Sequence, residues 1–376
     1  MNTQSNSNTQ LYNYKVHIGQ MIFTGEEWLT DQAIIIDGEI IKDVVSQSEL
    51  PADLKTHLPC NPIIAPAFID LQIYGANGKL LSEYPAPEAL SDLNKYCRDG
   101  GAAFCMPTVA TNHYDVFKKA TDAIKNYWNR GGEGVLGIHL EGPWINPVKR
   151  GAHIESLVRS PSVDEVKEIL DYGNGVIKII TLAPEQCSYE VIDLILSHGI
   201  VISAGHSNAT YKKATESFGR GIKAVTHLYN AMSPLQHREP GLAGAAMDDD
   251  TVMASIIPDG HHVDFAAVRI AKAIMKNRLF VITDAVTQTD KGHYQHELAG
   301  DKYEAAGILS GSALTMHKAM LNLVNHCGIE MGEAIRMCSL YPARLMGLDR
   351  ELGKIKKGYK AKLVALDQSE GSCVLL

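Results

Sequence analysis

The sequence lacks long hydrophobic runs and contains few cysteines. No apolar stretch approaches the roughly 18 residues that a membrane-spanning helix requires. Residues 1–10 have neither a basic nor an apolar segment, so we expect a frayed tail there and not a secretory signal. The seven cysteines are scattered, and no two of them have CxxC spacing. This usage argues against a disulfide framework or a thiolate metal site and predicts reduced thiols in the cytoplasm.

The sequence also lacks an excess of positive charge. Its 35 Lys and Arg against 43 Asp and Glu give a formal net charge of −8. Nucleic acid and anionic membranes favour a basic face, so we expect neither as the main partner. An anionic small molecule is still compatible with this charge as a ligand, because a few local Arg and His residues suffice to bind one. The length of 376 residues predicts one large domain with a small accessory one.

Both ends of the chain are predicted to form short strands, whereas the middle alternates between strands and helices. From residue 64 to 348, eight apolar or β-branched runs recur about every 25 to 40 residues, with amphipathic stretches between most of them. These runs are 64–74, 102–107, 135–141, 176–182, 201–206, 224–227, 253–257 and 279–284. The pattern predicts an α/β fold: a distorted (β/α)8 TIM barrel of residues 63–350, with a small β-sandwich domain formed by residues 1–62 and 351–376. A doubly wound sheet is the alternative, but no Gly-rich dinucleotide fingerprint follows the first run.

Four residues that can bind metal or move protons end different predicted strands. They are Glu141, His206, His227 and Asp284. The C-terminal strand ends of a barrel surround one mouth, where active sites lie, so these four side chains are predicted to converge. Two imidazoles and a carboxylate suit Zn²⁺ and leave positions for water and substrate. Asp284 is then free to accept a proton from ion-bound water and to return it to a leaving amine.

A single histidine is more often a structural or surface residue than a ligand, and the chain has 15. The joint placement of three ligands and a carboxylate therefore predicts the site, more than any one residue does. We expect no role for the histidines that lack such placement, namely His17, His57, His113, His198, His293, His296, His317 and His326.

Longer motifs surround these residues. They are GIHLEGPW (137–144), KRGAH (149–153), SAGHSNAT (203–210), THLYNAM (226–232), REPGLAG (238–244), DGHHVD (259–264), TDA (283–285) and LSGSALT (309–315). These motifs resemble those of N-acetylglucosamine-6-phosphate deacetylases of the amidohydrolase superfamily. The motifs occur in family order and the similarity covers nearly the whole chain. Together they are specific, although none is specific alone.

The resemblance implies a role for each matched residue. Glu141, His206 and His227 would hold the metal, Asp284 would be the general acid/base, and His153 would polarise the acetamide carbonyl. The sugar would be contacted by Ala152, Asn230, Ala231, Leu309 and Ser310, and the phosphate by Arg238 and His262. In the family this arginine can come from the neighbouring subunit of a homodimer, so Arg238 is expected to act either in its own subunit or across the interface.

One departure from the family pattern concerns the number of ions. Many amidohydrolases end the first barrel strand in His-x-His, which supplies a second metal, whereas this chain has Gln72 and Tyr74 there. Gln72 is neutral, and a free tyrosine has a pKa near 10, so the usual imidazole pair is missing. We therefore expect one divalent ion per subunit. Zn²⁺ is favoured, with Fe²⁺, Co²⁺ and Mn²⁺ as alternatives.

The expected reaction is hydrolysis of the acetamide of N-acetylglucosamine 6-phosphate to glucosamine 6-phosphate and acetate, with ion-bound water as the nucleophile. A deacetylase of N-acetylgalactosamine 6-phosphate or of another N-acyl amino sugar stays open. A cyclic-amide hydrolase would normally need the missing histidine pair. A non-catalytic sensor of the sugar phosphate is a further alternative, although Asp284 argues against it because binding alone needs no general base.

Overall fold

The computed structural model describes residues 14–305, 307–367 and 371–376. The frayed tail predicted for residues 1–10 lies outside these ranges.

Strands from both ends of the chain form one mixed six-stranded sheet. They are β1 (Lys15–Phe23), β2 (Trp28–Asp37), β3 (Ile40–Ser46), β4 (Cys60–Pro66), β18 (Leu363–Asp367) and β19 (Ser372–Leu375), in spatial order β19-β18-β4-β1-β2-β3. Gly38, at φ 58°, allows the tight turn between β2 and β3. Helix α1 (Ala52–His57) connects β3 to β4, and Ile22 and Ile64 lie in the core of the sheet. The predicted small sheet built from both ends is confirmed.

Eight parallel strands form the central sheet, and their short β-branched and apolar runs are largely buried. They are β5 (Phe68–Ile73), β8 (Ala102–Ala110), β9 (Ile138–Glu141), β10 (Ile177–Leu182), β11 (Val201–Ala204), β12 (Ala224–Val225), β13 (Met253–Ile256) and β14 (Leu279–Val281). Neighbours in the sheet follow chain order from β5 to β14. The hairpin β6 (Gly75–Ala76) and β7 (Lys79–Leu80) follows β5. After β14 comes an antiparallel sheet of β15 (Glu297–Ala299), β16 (Lys302–Ala305) and β17 (Ile308–Ser312).

Helices follow the barrel strands, and most of them bury one face, whereas the helix Gly241–Asp248 is buried at nearly every residue. They are α2 (Pro87–Asp99), α3 (Tyr114–Asn129), α4 (Val163–Tyr172), α5 (Tyr189–Ser197), α6 (Tyr211–Gly219), α7 (Gly241–Asp248), α8 (Phe265–Met275) and α9 (Met316–Asn325). In α2, Leu90, Leu93 and Cys97 are buried, as the helical period requires. Helices α10 (Met331–Cys338) and α11 (Leu340–Leu345) lead back to the small sheet. Within the described ranges, no helix is both long and apolar enough to cross a bilayer.

The barrel closes between its first and last strands. The Asp284 N–H donates to the Gln72 carbonyl at 3.0 Å, and the Tyr74 N–H donates to the Ala285 carbonyl at 2.9 Å. The buried carboxylate of Asp70 adds a side-chain link, because it accepts from the Thr283 N–H at 3.2 Å. The predicted distorted barrel is therefore confirmed, and the doubly wound sheet is excluded.

The first predicted barrel strand, residues 64–74, is divided between the two sheets. Its beginning belongs to β4, which pairs with β1 and β18, and only β5 belongs to the barrel. The chain leaves the small sheet at Ala67, whose N–H donates to the Lys362 carbonyl at 2.9 Å. Sequence alone did not separate the two strands because the apolar run of residues 63–69 continues across their boundary. Residue 63, the expected start of the barrel domain, thus lies within β4.

Candidate active site

The four strand-end residues meet at the C-terminal mouth of the barrel. Glu141 is the last residue of β9, whereas His206, His227 and Asp284 follow their strands by two or three residues. These three have φ values of 47°, 35° and 53°. A left-handed backbone is uncommon outside glycine, and it persists where the surrounding structure fixes it, often at functional sites. Each strand thus ends in a sharp bend that presents its side chain at the mouth.

Gly205 makes the bend before His206 sterically feasible. A Cβ atom at this position would lie 2.7 Å from Thr181 Cγ2 and 2.8 Å from Thr226 Cβ. Real Cβ atoms do not approach other atoms so closely, so β11 can pass between its neighbours only with glycine here. The AGH sequence therefore places His206 by allowing its backbone to approach the two adjacent strands.

Glu141, His206 and His227 offer three donor atoms to one point. His227 Nε2 lies 3.1 Å from Glu141 Oε1 and 3.1 Å from His206 Nε2, and His206 Nε2 lies 3.4 Å from Glu141 Oε1. Donors about 2.0–2.2 Å from a tetrahedral ion would lie roughly 3.3–3.5 Å apart. The spacing of the triangle therefore fits a divalent ion.

Hydrogen bonding and charge support the same fit. The Nδ1–H of His206 donates to the Lys149 carbonyl at 2.9 Å, which leaves the Nε2 lone pair free for an ion. Burial alone would raise the pKa of Glu141, yet His206, His153 and His227 hold that pKa well below its ordinary value. Glu141 is therefore an anion that faces two imidazole nitrogens, a donor set suited to Zn²⁺ and similar ions.

His153 is held as a hydrogen-bond donor toward the site. The Thr111 backbone N–H donates to His153 Nδ1 at 3.3 Å, so Nδ1 is the unprotonated nitrogen. The ring proton is then on Nε2, which lies 3.3 Å from Glu141 Oε2. Burial and the neighbouring His206 lower the pKa of His153 to about 4, which keeps the ring neutral.

Asp284 is buried beside the triangle without belonging to it. Gln72 Nε2 donates to Asp284 Oδ1 at 2.7 Å and approaches Glu141 Oε1 to 3.0 Å, so both carboxylates contact one amide nitrogen. Burial raises the pKa of Asp284 above the usual aspartate value, with His227 acting in the opposite direction. A buried carboxylate with a raised pKa next to a cation site is suited to moving protons.

Gln72 and Tyr74 occupy the mouth of the first barrel strand. The Tyr74 hydroxyl donates to Glu141 Oε2, and Gln72 Nε2 lies 2.9 Å from the Tyr74 oxygen. Both residues thus contact the ligand carboxylate, Tyr74 at Oε2 and Gln72 at Oε1.

A polar layer lies beneath the site, inside the barrel. His139 Nδ1 faces the Leu71 carbonyl at 3.3 Å, so it is a donor, and Nε2 accepts from the Thr181 hydroxyl at 2.7 Å. Thr226 Oγ1 lies 2.7 Å from Thr181 Oγ1 and 2.6 Å from Ser203 Oγ, which continues the chain of hydroxyls. Burial lowers the pKa of His139 to about 4, which keeps it neutral. These hydrogen bonds link β5, β9, β10 and β11 with Thr226, the residue that follows β12.

A cavity of about 340 Å³ opens above the triangle. It is lined by the four strand-end residues and His153, and by the predicted substrate residues Ala152, Asn230, Ala231, His262, Leu309 and Ser310. Arg238 does not line it: this arginine lies on an exposed segment between β12 and α7. Every predicted site residue except Arg238 is therefore brought together within one chain.

His262 is anchored by an aspartate that the sequence reasoning did not assign. His262 Nδ1 lies 2.6 Å from Asp259 Oδ2, and its backbone N–H donates to Asp259 Oδ1 at 2.7 Å. The buried Asp259 has a pKa below the usual value, since its hydrogen bonds and the charge of His262 outweigh burial. The DGHH motif thus orients one histidine into the cavity.

Sequence reasoning missed His296 and Tyr294. Both line the cavity, although His296 was expected to have no role. His296 Nδ1 lies 2.8 Å from Ser310 Oγ, and the Tyr294 hydroxyl donates to the Thr111 carbonyl at 2.7 Å. They lie between β14 and β15 in a segment without strand or helix periodicity. No pattern in the sequence could therefore have placed them.

The fold and site are those of a metal-dependent hydrolase, and comparisons with known proteins agree. The model of the amidohydrolase family matches residues 63–373, and that of the NagA composite domain matches residues 18–58. The chain belongs to the amidohydrolase family and, within it, to the N-acetylglucosamine-6-phosphate deacetylases.

Individual relatives support this membership. An N-acetylglucosamine-6-phosphate deacetylase of Haemophilus influenzae is 36% identical over 358 residues, which are 92% of this chain and 93% of that protein. An N-acetylgalactosamine-6-phosphate deacetylase of Escherichia coli is 32% identical, with 92% and 93% covered. The crystal structure of the N-acetylglucosamine-6-phosphate deacetylase from Pasteurella multocida matches with a TM-score of 0.88 and 31% identity, covering 96% of this chain and 97% of that one.

Proposed function

We propose that this protein hydrolyses the acetamide of N-acetylglucosamine 6-phosphate to glucosamine 6-phosphate and acetate. The observation that carries the proposal is the triangle of Glu141, His206 and His227, with Asp284 and His153 beside it under one cavity. Similarity to deacetylases along nearly the whole chain supports the same substrate.

The side chains divide the reaction between them. When bound, a divalent ion lowers the pKa of water toward neutrality and polarises a carbonyl. Asp284 accepts the proton of the attacking water and delivers it to the amine nitrogen as the C–N bond breaks. His153 donates from Nε2 to the carbonyl oxygen, on which negative charge develops. Glu141, His206 and His227 hold the ion.

We propose one ion per subunit, with Zn²⁺ as the native metal. The Gln72 amide lies within 3.0 Å of both Glu141 and Asp284, so an N–H donor fills the space in which a second cation would contact the two carboxylates. Two imidazoles and one carboxylate suit Zn²⁺, although Fe²⁺, Co²⁺ and Mn²⁺ accept the same donors.

Substrate contacts are proposed on the same basis. Ala152, Asn230 and Ala231 lie beside the catalytic groups, and Leu309 and Ser310 lie on β17 across the cavity. His262 contacts the phosphate, together with Arg238. Because Arg238 is exposed and outside the cavity of its own chain, we propose a homodimer in which it reaches the partner's substrate.

The domain division and location are also proposals. We place a small domain at residues 1–62 and 351–376 and the hydrolase barrel at residues 63–350, which assigns the six-stranded sheet mainly to the first and the eight parallel strands to the second. We propose a cytoplasmic location because all seven cysteines are free thiols.

A panel of N-acetylhexosamine phosphates tests the function. Acetate release is measured with the 6-phosphates of N-acetylglucosamine and N-acetylgalactosamine and with both unphosphorylated sugars, and metal content is measured on the same preparation. We expect the highest kcat/KM with N-acetylglucosamine 6-phosphate. A higher value with the galacto epimer would transfer the assignment to that substrate. A metal-loaded protein that binds the sugar phosphate without releasing acetate would identify a sensor.

A further inference from the structure

The two oxygens of Glu141 have different neighbours. Oε1 belongs to the donor triangle, at 3.1 Å from His227 Nε2 and 3.4 Å from His206 Nε2. Oε2 accepts from the Tyr74 hydroxyl and lies 3.3 Å from His153 Nε2. Oε1 therefore faces the position of the ion, with Gln72 Nε2 3.0 Å away as its further neighbour, whereas Oε2 faces the two donors Tyr74 and His153.

Tyr74 is well placed to maintain this division. Its backbone is fixed at the barrel seam, where the Tyr74 N–H donates to the Ala285 carbonyl at 2.9 Å. Its hydroxyl oxygen also accepts a hydrogen bond from Gln72 Nε2 at 2.9 Å. With Gln72 filling the acceptor position of the phenol oxygen, the single hydroxyl proton is directed at Glu141 Oε2.

We propose that Tyr74 is a positioning residue that makes Glu141 bind the ion through Oε1 alone. A carboxylate can bind a cation through one oxygen or through both. While Tyr74 and His153 occupy Oε2, rotation of the carboxylate to chelate the ion would break a hydrogen bond between buried groups, which is unfavourable. The ion then has three protein donor atoms and retains open positions for water and the acetamide oxygen.

The proposed role of His153 also depends on the hydrogen bond from Tyr74 to Glu141. Its Nε2–H must be free to turn from Glu141 Oε2 to the substrate carbonyl, and Oε2 then still needs a donor. Tyr74 supplies that donor throughout, so the carboxylate does not rearrange when His153 changes partner. This inference rests on the proposed function only in assuming that the triangle holds an ion.

The test uses Tyr74→Phe, which removes only the hydroxyl, in protein loaded with Co²⁺ in the absence of substrate. Four-coordinate Co²⁺ absorbs strongly in the visible range, and higher coordination weakens that absorption. We expect Tyr74→Phe to lose visible absorption at an unchanged ratio of one Co²⁺ per chain. We also expect its Kd for Zn²⁺ to rise about 10- to 100-fold, as is typical when a residue that orients a metal ligand is removed.

Tyr294→Phe is the matched control. It removes a hydroxyl from the same cavity, but that hydroxyl donates to the Thr111 backbone carbonyl and contacts no proposed ligand. We expect its Co²⁺ spectrum and Zn²⁺ affinity to match those of the wild type. A Tyr74→Phe spectrum and affinity equal to those of Tyr294→Phe would overturn the proposal. Both readouts are independent of acetate release. The role of Tyr74 can therefore be refuted while the deacetylase activity is confirmed, and the deacetylase activity can be refuted while the role of Tyr74 is confirmed.

Discussion

The backbone N–H of Thr111 determines which nitrogen of His153 carries the ring proton. It donates to Nδ1 at 3.3 Å, and Thr111 Oγ1 lies 2.7 Å from the same nitrogen. The proton is therefore on Nε2, the nitrogen that faces Glu141 and the cavity. A backbone donor is retained on any substitution except proline, so this orientation depends mainly on the loop after β8.

His153→Asn should lower kcat while leaving metal content unchanged, because it removes the donor to the developing negative charge. Loss of one such donor lowers kcat by about 10²- to 10³-fold. Steady-state kinetics and metal analysis of the same sample check this. His113→Asn, which changes an exposed histidine on the loop after β8, should behave as the wild type. A His153 variant with near-normal kcat would remove this residue from the chemistry.

Asp284→Asn should keep its ion and lose most of its turnover. The amide oxygen still accepts from Gln72 Nε2, so the geometry persists, but the proton acceptor is gone. Loss of a general base costs about 10²- to 10⁴-fold. Asp164→Asn, on the exposed first turn of α4, is the control. Substantial acetate release by Asp284→Asn at normal metal content would assign the base elsewhere.

His262→Ala should raise KM for the 6-phosphate by about 10- to 100-fold, since a hydrogen bond to a charged group contributes roughly 1.5–3 kcal/mol. The unphosphorylated sugar should show no matching change. His261→Ala provides the comparison, because this neighbour is directed away, to Asp301 at 2.6 Å. Equal losses for both sugars would mean that His262 does not contact phosphate.

Mixing Arg238→Ala with Asp284→Asn tests whether the arginine acts across a dimer. If it does, each mixed dimer contains one site with a wild-type Asp284 and a wild-type Arg238. Random pairing of equal amounts then restores about one quarter of wild-type activity at low substrate. If Arg238 acts within its own chain, every site carries one defect and mixing restores nothing.

Asp70 should make stability depend on pH. Burial raises its pKa to about 7, against the hydrogen bonds from Thr283 and Gln72 that lower it. Between the unfolded value of about 3.9 and this folded value, only the native state holds the proton. Stability therefore falls as pH rises through this window, by at most about 1.4 kcal/mol per pH unit. Thermal melts at pH 5 and pH 8 should show this fall in the wild type and a smaller one in Asp70→Asn. Equal pH dependence of the two proteins would show that Asp70 does not cause it.

The sequence predicted the barrel and its ligands because both depend on local patterns. Short apolar runs mark the strands, and the residues that end four of them, such as Glu141 and Asp284, lie at one mouth by topology alone. The division of residues 64–74 between two sheets was missed because the apolar run of residues 63–69 continues from one strand into the next.

Contacts made by side chains across the mouth could not be predicted in the same way. Tyr74 and Glu141 are 67 residues apart, and Gln72 and Asp284 are 212 apart. Their hydrogen bonds depend on rotamers and on the stagger of strands, which a linear pattern does not contain. His296 lies in an irregular segment, where no strand or helix periodicity indicates which way a side chain points.

The contact between the first and last barrel strands also determines when, during synthesis of the chain, the active site can first be complete. Asp284 reaches its place through its bond to the Gln72 carbonyl, and a ribosome that has just translated β5 must still add about 200 residues before that bond can form. Chains that end between residues 227 and 284 would contain Glu141, His206 and His227 without the proton acceptor. Such fragments would contain every proposed metal ligand but not the proposed general base, so the capacity for turnover is completed only when the last barrel strand has been made.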